Sequence, residues 1–290
     1  MTHTAPTQRR IVVGVDSSDN AARAADWAAQ EAADRSLPLH LVHALDLPGP
    51  MGIVIEPPEY DAEETAANHH MLRRILGNLR ERHPYVAITG EISELSPAET
   101  LVAFSRDAEL VVTGTRGHGG FAGMLLGSVS HALAAHAHCP TIVVRGEQPD
   151  GALDEIVLGV EPDQAEAPIR FAFATAATVG ASVTIVRAWW MQTAYEGRYT
   201  VAEFNAAQAA QEDDINKLIK AVREEYPHVE VSVNAIRGNP VPVLTNAAQG
   251  SRMLVVGAHR HRGPLSVGIG YVTAGLLSHS PTPVAVVPVS

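Results

Sequence analysis

Two kinds of apolar pattern alternate along this chain. Short runs rich in Val, Ile and Leu are separated by longer stretches whose apolar residues recur at helical spacing. In the first half the short runs predict strands at Ile11–Asp16, Leu39–Ala44, Val86–Ile92, Leu110–Gly114 and Thr141–Arg145. Several are apolar at every position, as expected of parallel strands covered on both faces. The longer stretches predict helices. Asp19–Arg35 is rich in alanine, whose small side chain lets a helix lie close on a sheet. Glu59–Arg82 carries Met71, Leu72, Ile75, Leu76 and Leu79 at helical spacing. Pro97–Asp107 has Ser96 at its N-cap, Pro97 at the first helical position and Glu99 in the first turn, a strong start signal. Ser128–Ala137 completes the set. Strand and helix in strict alternation predict a doubly wound α/β fold with right-handed crossovers.

The pattern is then written a second time. "RRIVVGVD" (9–16) returns as "DEIVLGVE" (154–161), and "LVVTGTRGHGG" (110–120) returns as "MLVVGAHRHRG" (253–263). "HCPTIVVR" (138–145) returns as "SPTPVAVVP" (280–288), at an offset that stays near about 145 residues. That period is too long for a solenoid and implies a duplicated domain. The second set of strands is expected at Glu155–Glu161, Ser182–Ala188, Val229–Ile236, Arg252–Gly257 and Val284–Pro288. "GEQPDGA" (146–152) is polar, contains Pro and Gly, and reads as the linker between domains 1–147 and 153–290.

Composition narrows the function classes. The 290 residues are 46% hydrophobic, enough for a sizeable core. A net charge of −11 argues against nucleic acid or an anionic membrane as the main partner, although a local basic pocket remains open. Cys139 is the single cysteine, so neither a disulfide framework nor a cysteine zinc site is expected. The polar start "MTHTAPTQRR" and the lack of a long apolar run predict a soluble cytoplasmic protein.

Candidate chemistry gathers where ligands bind in such folds, beyond the carboxyl ends of the strands. The first strand ends in Asp16. The fourth ends in Gly114 and opens "GTRGHGGFAGMLLGSVS" (114–130). Gly114, Gly117 and Gly127 can take positive φ and admit a ligand close to the backbone. Successive N–H groups in such a loop form an anion nest, and a helix starting near Ser128 adds the positive end of its dipole. Ser128 and Ser130 add hydroxyl donors, Arg116 adds charge, and Asp16 can accept from ribose hydroxyls. The plainer alternative is a surface loop, with Ser128 as an N-cap and Asp16 capping the next helix. "GHGGFA" (117–122) also fits G-x-G-x-x-A, but after the fourth strand rather than the first.

These residues resemble the universal stress protein family. Gly114-x2-Gly117-x9-Gly127-Ser128 is similar to that family's ATP-binding pattern. Asp16 ending "IVVGVD", "LVHALD" (41–46), Ser96-Pro97 and "CPTIVV" match in order, and the likeness covers nearly the whole chain as two tandem domains of actinobacterial type. The resemblance implies two Rossmann-like domains, each a five-stranded parallel sheet of order 3-2-1-4-5 with helices on both faces. It implies ATP in the first domain, with Gly14 and Asp16 at the adenosine and Ala44 at the adenine. Thr113, Gly114, Thr115, Arg116, Gly117, His118, Gly119 and Gly120 would carry the phosphate loop. Gly127, Ser128, Val129 and Ser130 would bind phosphates at the helix start. It further implies Mg²⁺ bridging the phosphates, a homodimer and an unidentified protein partner. The expected role is a nucleotide-dependent stress regulator, not an enzyme. The alternatives are a slow Mg-dependent hydrolase or phosphotransferase and a scaffold without nucleotide.

The second half departs from the pattern. Glu161 stands for Asp16, Arg260 for Gly117 and Tyr271 for Ser128. Tyr271 is expected to crowd the helix start, leaving a degenerate half, although His259–Arg262 form a basic cluster that suits another anion. Other signals are weaker. His131, His136, His138 and Cys139 lack metal-ligand spacing, and His69-His70 fits a solvated helix face. Trp189-Trp190 fits cover for the sheet edge, and "DLPGPMGIVIEPPEY" (46–60) fits a long crossover loop. No Gly-Lys-Ser/Thr P-loop and no evident nucleophile–base pair appear.

Overall fold

The structure, a computed structural model, describes residues 9–45, 62–117, 126–146, 153–190, 200–259 and 268–289. The chain divides into two compact units, Met1–Arg145 and Gly146–Ser290.

The first unit runs β1 (Ile11–Gly14), α1 (Asp19–Arg35), β2 (Leu39–Ala44), α2 (Ala62–Arg82), β3 (Ile88–Ser93), α3 (Pro97–Phe104), β4 (Leu110–Gly114), α4 (Ser128–His136) and β5 (Thr141–Val144). All its strand pairs are parallel, in the order β3-β2-β1-β4-β5. Consecutive residues Ile11, Val12 and Val13 are all buried, as are Leu110, Val111 and Val112, so the middle of the sheet is covered on both faces. α1 and α2 pack together on one face and α3 and α4 on the other. Alanines at 21, 24, 25, 28, 29 and 32 are buried, and α1 therefore rests directly on the strands. α3 starts as its sequence requires: Ser96 accepts from the Glu99 N–H, and Pro97 sits in the first turn, where no N–H is needed.

The second unit repeats this with β6 (Leu153–Gly159), α5 (Glu166–Val179), β7 (Ser182–Trp189), α6 (Val201–Glu225), β8 (Val231–Arg237), α7 (Pro240–Ala247), β9 (Ser251–His259), α8 (Tyr271–His279) and β10 (Val284–Val289). Its order is β8-β7-β6-β9-β10, again parallel throughout, with α5 against α6 and α7 against α8. Each unit is thus the expected 3-2-1-4-5 sheet. No described helix is long and apolar enough to cross a membrane.

The expected element ends shift for local reasons. β1 stops at Gly14 rather than Asp16, because the Asp16 carboxylate turns to accept from Ser18 and the chain leaves the sheet. β3 starts at Ile88 rather than Val86, whose N–H bonds the His83 carbonyl in a turn. The start of the second helix at Glu59 and the crossover 46–60 lie outside the described residues.

Candidate functional site

The carboxyl edge of the first sheet brings the ends of β1, β2 and β4 together with the start of α4. Asp16 leaves β1 half-buried. Its Oδ1 accepts from the Ser18 amide at 2.9 Å and the Ser18 hydroxyl at 2.5 Å. Ser18 Oγ in turn accepts from the Ala21 N–H and caps α1. Asp16 is therefore not the N-cap; it orients the residue that is. Its other oxygen faces the Cα of Gly117 so closely that any Cβ there would overlap it.

The glycines of this loop serve space, not unusual backbone. Positive φ was the expected reason for Gly114, Gly117 and Gly127, yet none of them has it. A Cβ on Gly114 would lie 2.9 Å from the Asn20 carbonyl group, where the first turn of α1 crosses the end of β4. A Cβ on Gly127 would lie 3.1 Å from the Thr115 carbonyl oxygen, which its own N–H meets at 2.8 Å. Gly14 is also a packing residue: its Cα faces Leu101 of α3, 2.6 Å from where a Cβ would stand.

The α4 start presents main chain rather than side chain. Gly127, not Ser128, is the N-cap, and no side chain caps the helix. Ser128 is exposed, while the Val129 side chain packs inward on the core of Val12, Val111 and Leu133. Ser130 is 1% exposed, and its hydroxyl donates to the Gly114 carbonyl at 2.8 Å, so it ties the loop together instead of offering a donor to a ligand. Thr113 and Thr115 are buried, and Thr113 Oγ1 donates to the Gly114 carbonyl. Arg116 and Gly117 are exposed at the mouth. His118, Gly119 and Gly120 lie outside the described residues.

Four residues that the motif did not single out complete the edge. Arg145 follows β5, half-buried. Its pKa is lowered first by burial and then by the neighbouring charge of Arg116, which puts two guanidiniums at one mouth. Asn20 donates to the Arg116 carbonyl at 3.2 Å and fixes the loop's departure. Ser18 orients Asp16. His43 Nδ1 meets the Val15 carbonyl at 2.9 Å; a carbonyl only accepts, so Nδ1 carries a proton. The one available signal was positional: Arg145 and His43 sit at the carboxyl ends of apolar strands.

The second unit arranges the same edge differently. Glu161 is exposed, and Gln164 folds over Gly257, its Nε2 2.6 Å from where a Cβ would stand. Tyr271 does not crowd the helix start as expected: at the first position of α8 its ring turns outward, 76% exposed. Gly270 is the N-cap, again without a side-chain cap. Arg187 occupies the repeat position of His43 and is almost completely buried.

The model of the universal stress protein family matches residues 8–145 and again 153–288. The chain belongs to this family. A universal stress protein of Mycolicibacterium smegmatis is 31% identical over 304 residues, covering 97% of each chain. The crystal structure of a universal stress protein from Archaeoglobus fulgidus superposes with a TM-score of 0.72 at 15% identity and covers 97% of each chain, a likeness of fold. A universal stress protein from the same organism in complex with dAMP matches 47% of this chain and 98% of its own at 25% identity, with a TM-score of 0.37. Among the described residues, the His131–Cys139 region included, no three His, Cys, Asp or Glu side chains converge. Cys139 lies in the core with Val12 and Leu133, where burial pushes its thiol up to about 12.

Proposed function

We propose that the first domain, residues 1–147, binds ATP, and that the protein is a nucleotide-dependent regulator of the stress response rather than an enzyme. The observation that carries this is the pairing of Asp16 with Gly117. A carboxylate from β1 and the loop leaving β4 share one edge with an uncapped helix N-terminus and two guanidiniums. A carboxylate suits ribose hydroxyls, which donate to it. Main-chain N–H groups at a helix start suit phosphates, with Arg116 and Arg145 adding charge. Ala44 stands at the end of β2, where its backbone can meet the adenine edge.

Mg²⁺ fits this site as an ion held mainly by phosphate oxygens and water, since the described residues offer it no cluster of carboxylates. Bound there, it would neutralise phosphate charge; Asp16 is the carboxylate that the described residues place at this edge. Ser130 spends its hydroxyl on the loop and His43 spends Nδ1 on Val15, which favours binding over turnover. The second domain, residues 153–290, keeps the fold, while its sequence departs from the glycine pattern, with Arg260 at the place of Gly117. A cytoplasmic homodimer with a protein partner that reads nucleotide occupancy completes the proposal.

The test is to denature purified protein and count released nucleotide per chain by chromatography and mass spectrometry. About one ATP per chain is expected. No nucleotide, even after incubation with ATP and Mg²⁺, overturns the reading. Steady-state phosphate release that disappears in Gly117→Ala would replace the regulator with a hydrolase.

A further inference from the structure

The second unit contains a buried cation with little to balance it. Arg187, on β7, is 3% exposed. Its Nη2 donates to the Glu161 carbonyl over 3.4 Å, and its Nε is buried without a partner among the described residues. Asp214 of α6 contributes an attractive field but does not form an ion pair with it. A guanidinium does not shed its proton in a protein, so the charge stays. An uncompensated buried charge is destabilising.

Two more donors lie nearby in the same condition. Gln164 uses its Oε1 to accept from the Glu161 N–H and its backbone N–H to reach the Glu161 carbonyl, the atom Arg187 also meets. Its Nε2 is buried and unpartnered. Trp189, two residues along β7 and so on the same face as Arg187, stacks its ring near Phe204 and buries an unpartnered Nε1. Three donor side chains with orphaned N–H groups, no acceptor for them among the described residues, and a place at the carboxyl ends of β6 and β7 describe a receptor for negative charge. The uncapped start of α5, behind Ala165, adds the positive end of a helix dipole. The first copy carries no arginine here: at the repeat position His43 meets the Val15 carbonyl, one residue before the counterpart of the Glu161 carbonyl that Arg187 meets.

We propose that the second unit binds an oxyanion, a carboxylate or phosphate group of a small molecule, on Arg187, with Gln164 and Trp189 as further donors. This site is separate from the ATP site proposed above and uses neither the glycine loop nor the α8 start. It makes the second unit a receptor of different specificity rather than a spent copy.

The experiment is thermal unfolding of the full chain titrated with sodium phosphate, and separately with sodium acetate, against sodium chloride of equal ionic strength. The variants are Arg187→Met, Arg187→Lys and Gly117→Arg. One of the two anions should raise the melting temperature of the wild type in a saturable way, and which one does so identifies the group. Gly117→Arg should keep that rise. Arg187→Met should lose it, with an apparent affinity at least about tenfold weaker, and should melt no lower than wild type without anion. Arg187→Lys, which keeps charge but not the planar fork, should retain a weakened response. If neither anion raises the wild-type melting temperature, the proposal fails. It also fails if Arg187→Met keeps the full rise, or if Gly117→Arg alone abolishes it, which would place the anion in the first unit.

Discussion

Gly117→Ala isolates the pairing on which the ATP site rests. The new Cβ would overlap Asp16 Oδ2, and the carboxylate must retreat by about an ångström to reach ordinary contact. It cannot do so freely, because Oδ1 is held by the Ser18 amide and hydroxyl. Either one of those charged hydrogen bonds breaks or the bond to a ribose hydroxyl does. Each is worth about 1.5–3 kcal/mol. ATP affinity should therefore fall about ten- to a hundredfold, although the mutation adds a single methyl group. Isothermal titration with ATP and Mg²⁺ measures this, and a double-mutant cycle with Asp16→Ala tests the route. If the methyl acts through Asp16, the double variant binds no worse than Asp16→Ala alone. Wild-type affinity in Gly117→Ala, or strictly additive losses, would refute the argument.

Three further outcomes follow from buried groups in the first unit. Ser130→Ala should destabilise the nucleotide-free protein by about 1 kcal/mol in urea unfolding, because it removes the shorter of two hydroxyl bonds to the Gly114 carbonyl; a loss seen only with ATP present would return Ser130 to the phosphates. Cys139, its thiol pushed up to about 12 from 9.0, should resist alkylation in the native state at pH 8 and react fully in denaturant. Because the folded state holds that proton longer, the associated stability is complete below about pH 9 and is lost as pH rises towards 12, which alkaline melts of Cys139→Ala would lack. His40 is buried against Thr89 and Phe104, and its pKa is lowered by that burial and by Arg10 despite the opposing Glu91. Its neutral form is thus favoured, so its contribution is present above pH 6.5 and lost as pH falls below; His40→Gln should flatten the melting temperature between pH 7.5 and 5.5.

The elements and the duplicated fold were legible because the information is local and repeated, while the sheet order was expected only from the family resemblance. Runs such as Ile11–Val13 and Leu110–Val112 are apolar at every position only if both faces are covered, and Ser96-Pro97 announces a helix by capping chemistry. The site was legible as a set of positions, not as a set of roles. Sequence cannot separate a glycine needed for φ from one needed for room, and at Gly114, Gly117 and Gly127 room decides. Nor can it tell a hydroxyl that faces a ligand from one that faces a carbonyl sixteen residues back, as Ser130 does. Tyr271 misled because bulk was counted without direction: the first residue of a helix can point its side chain to solvent. Arg145 and Arg187 stayed hidden because burial and the company of other charges arise only when strands line up.

Asp16 and Ser18 give the first unit an internal lever. The carboxylate that faces the proposed ligand also positions the hydroxyl that closes the start of α1. That helix lies along β1, β4 and β5, so whatever pulls on Asp16 pulls on the cap of the element that spans most of the sheet. Occupancy at the mouth should then be audible at a distance, as slower amide exchange through the first turns of α1. A partner protein could sense it on the helix's outer surface without touching the nucleotide at all.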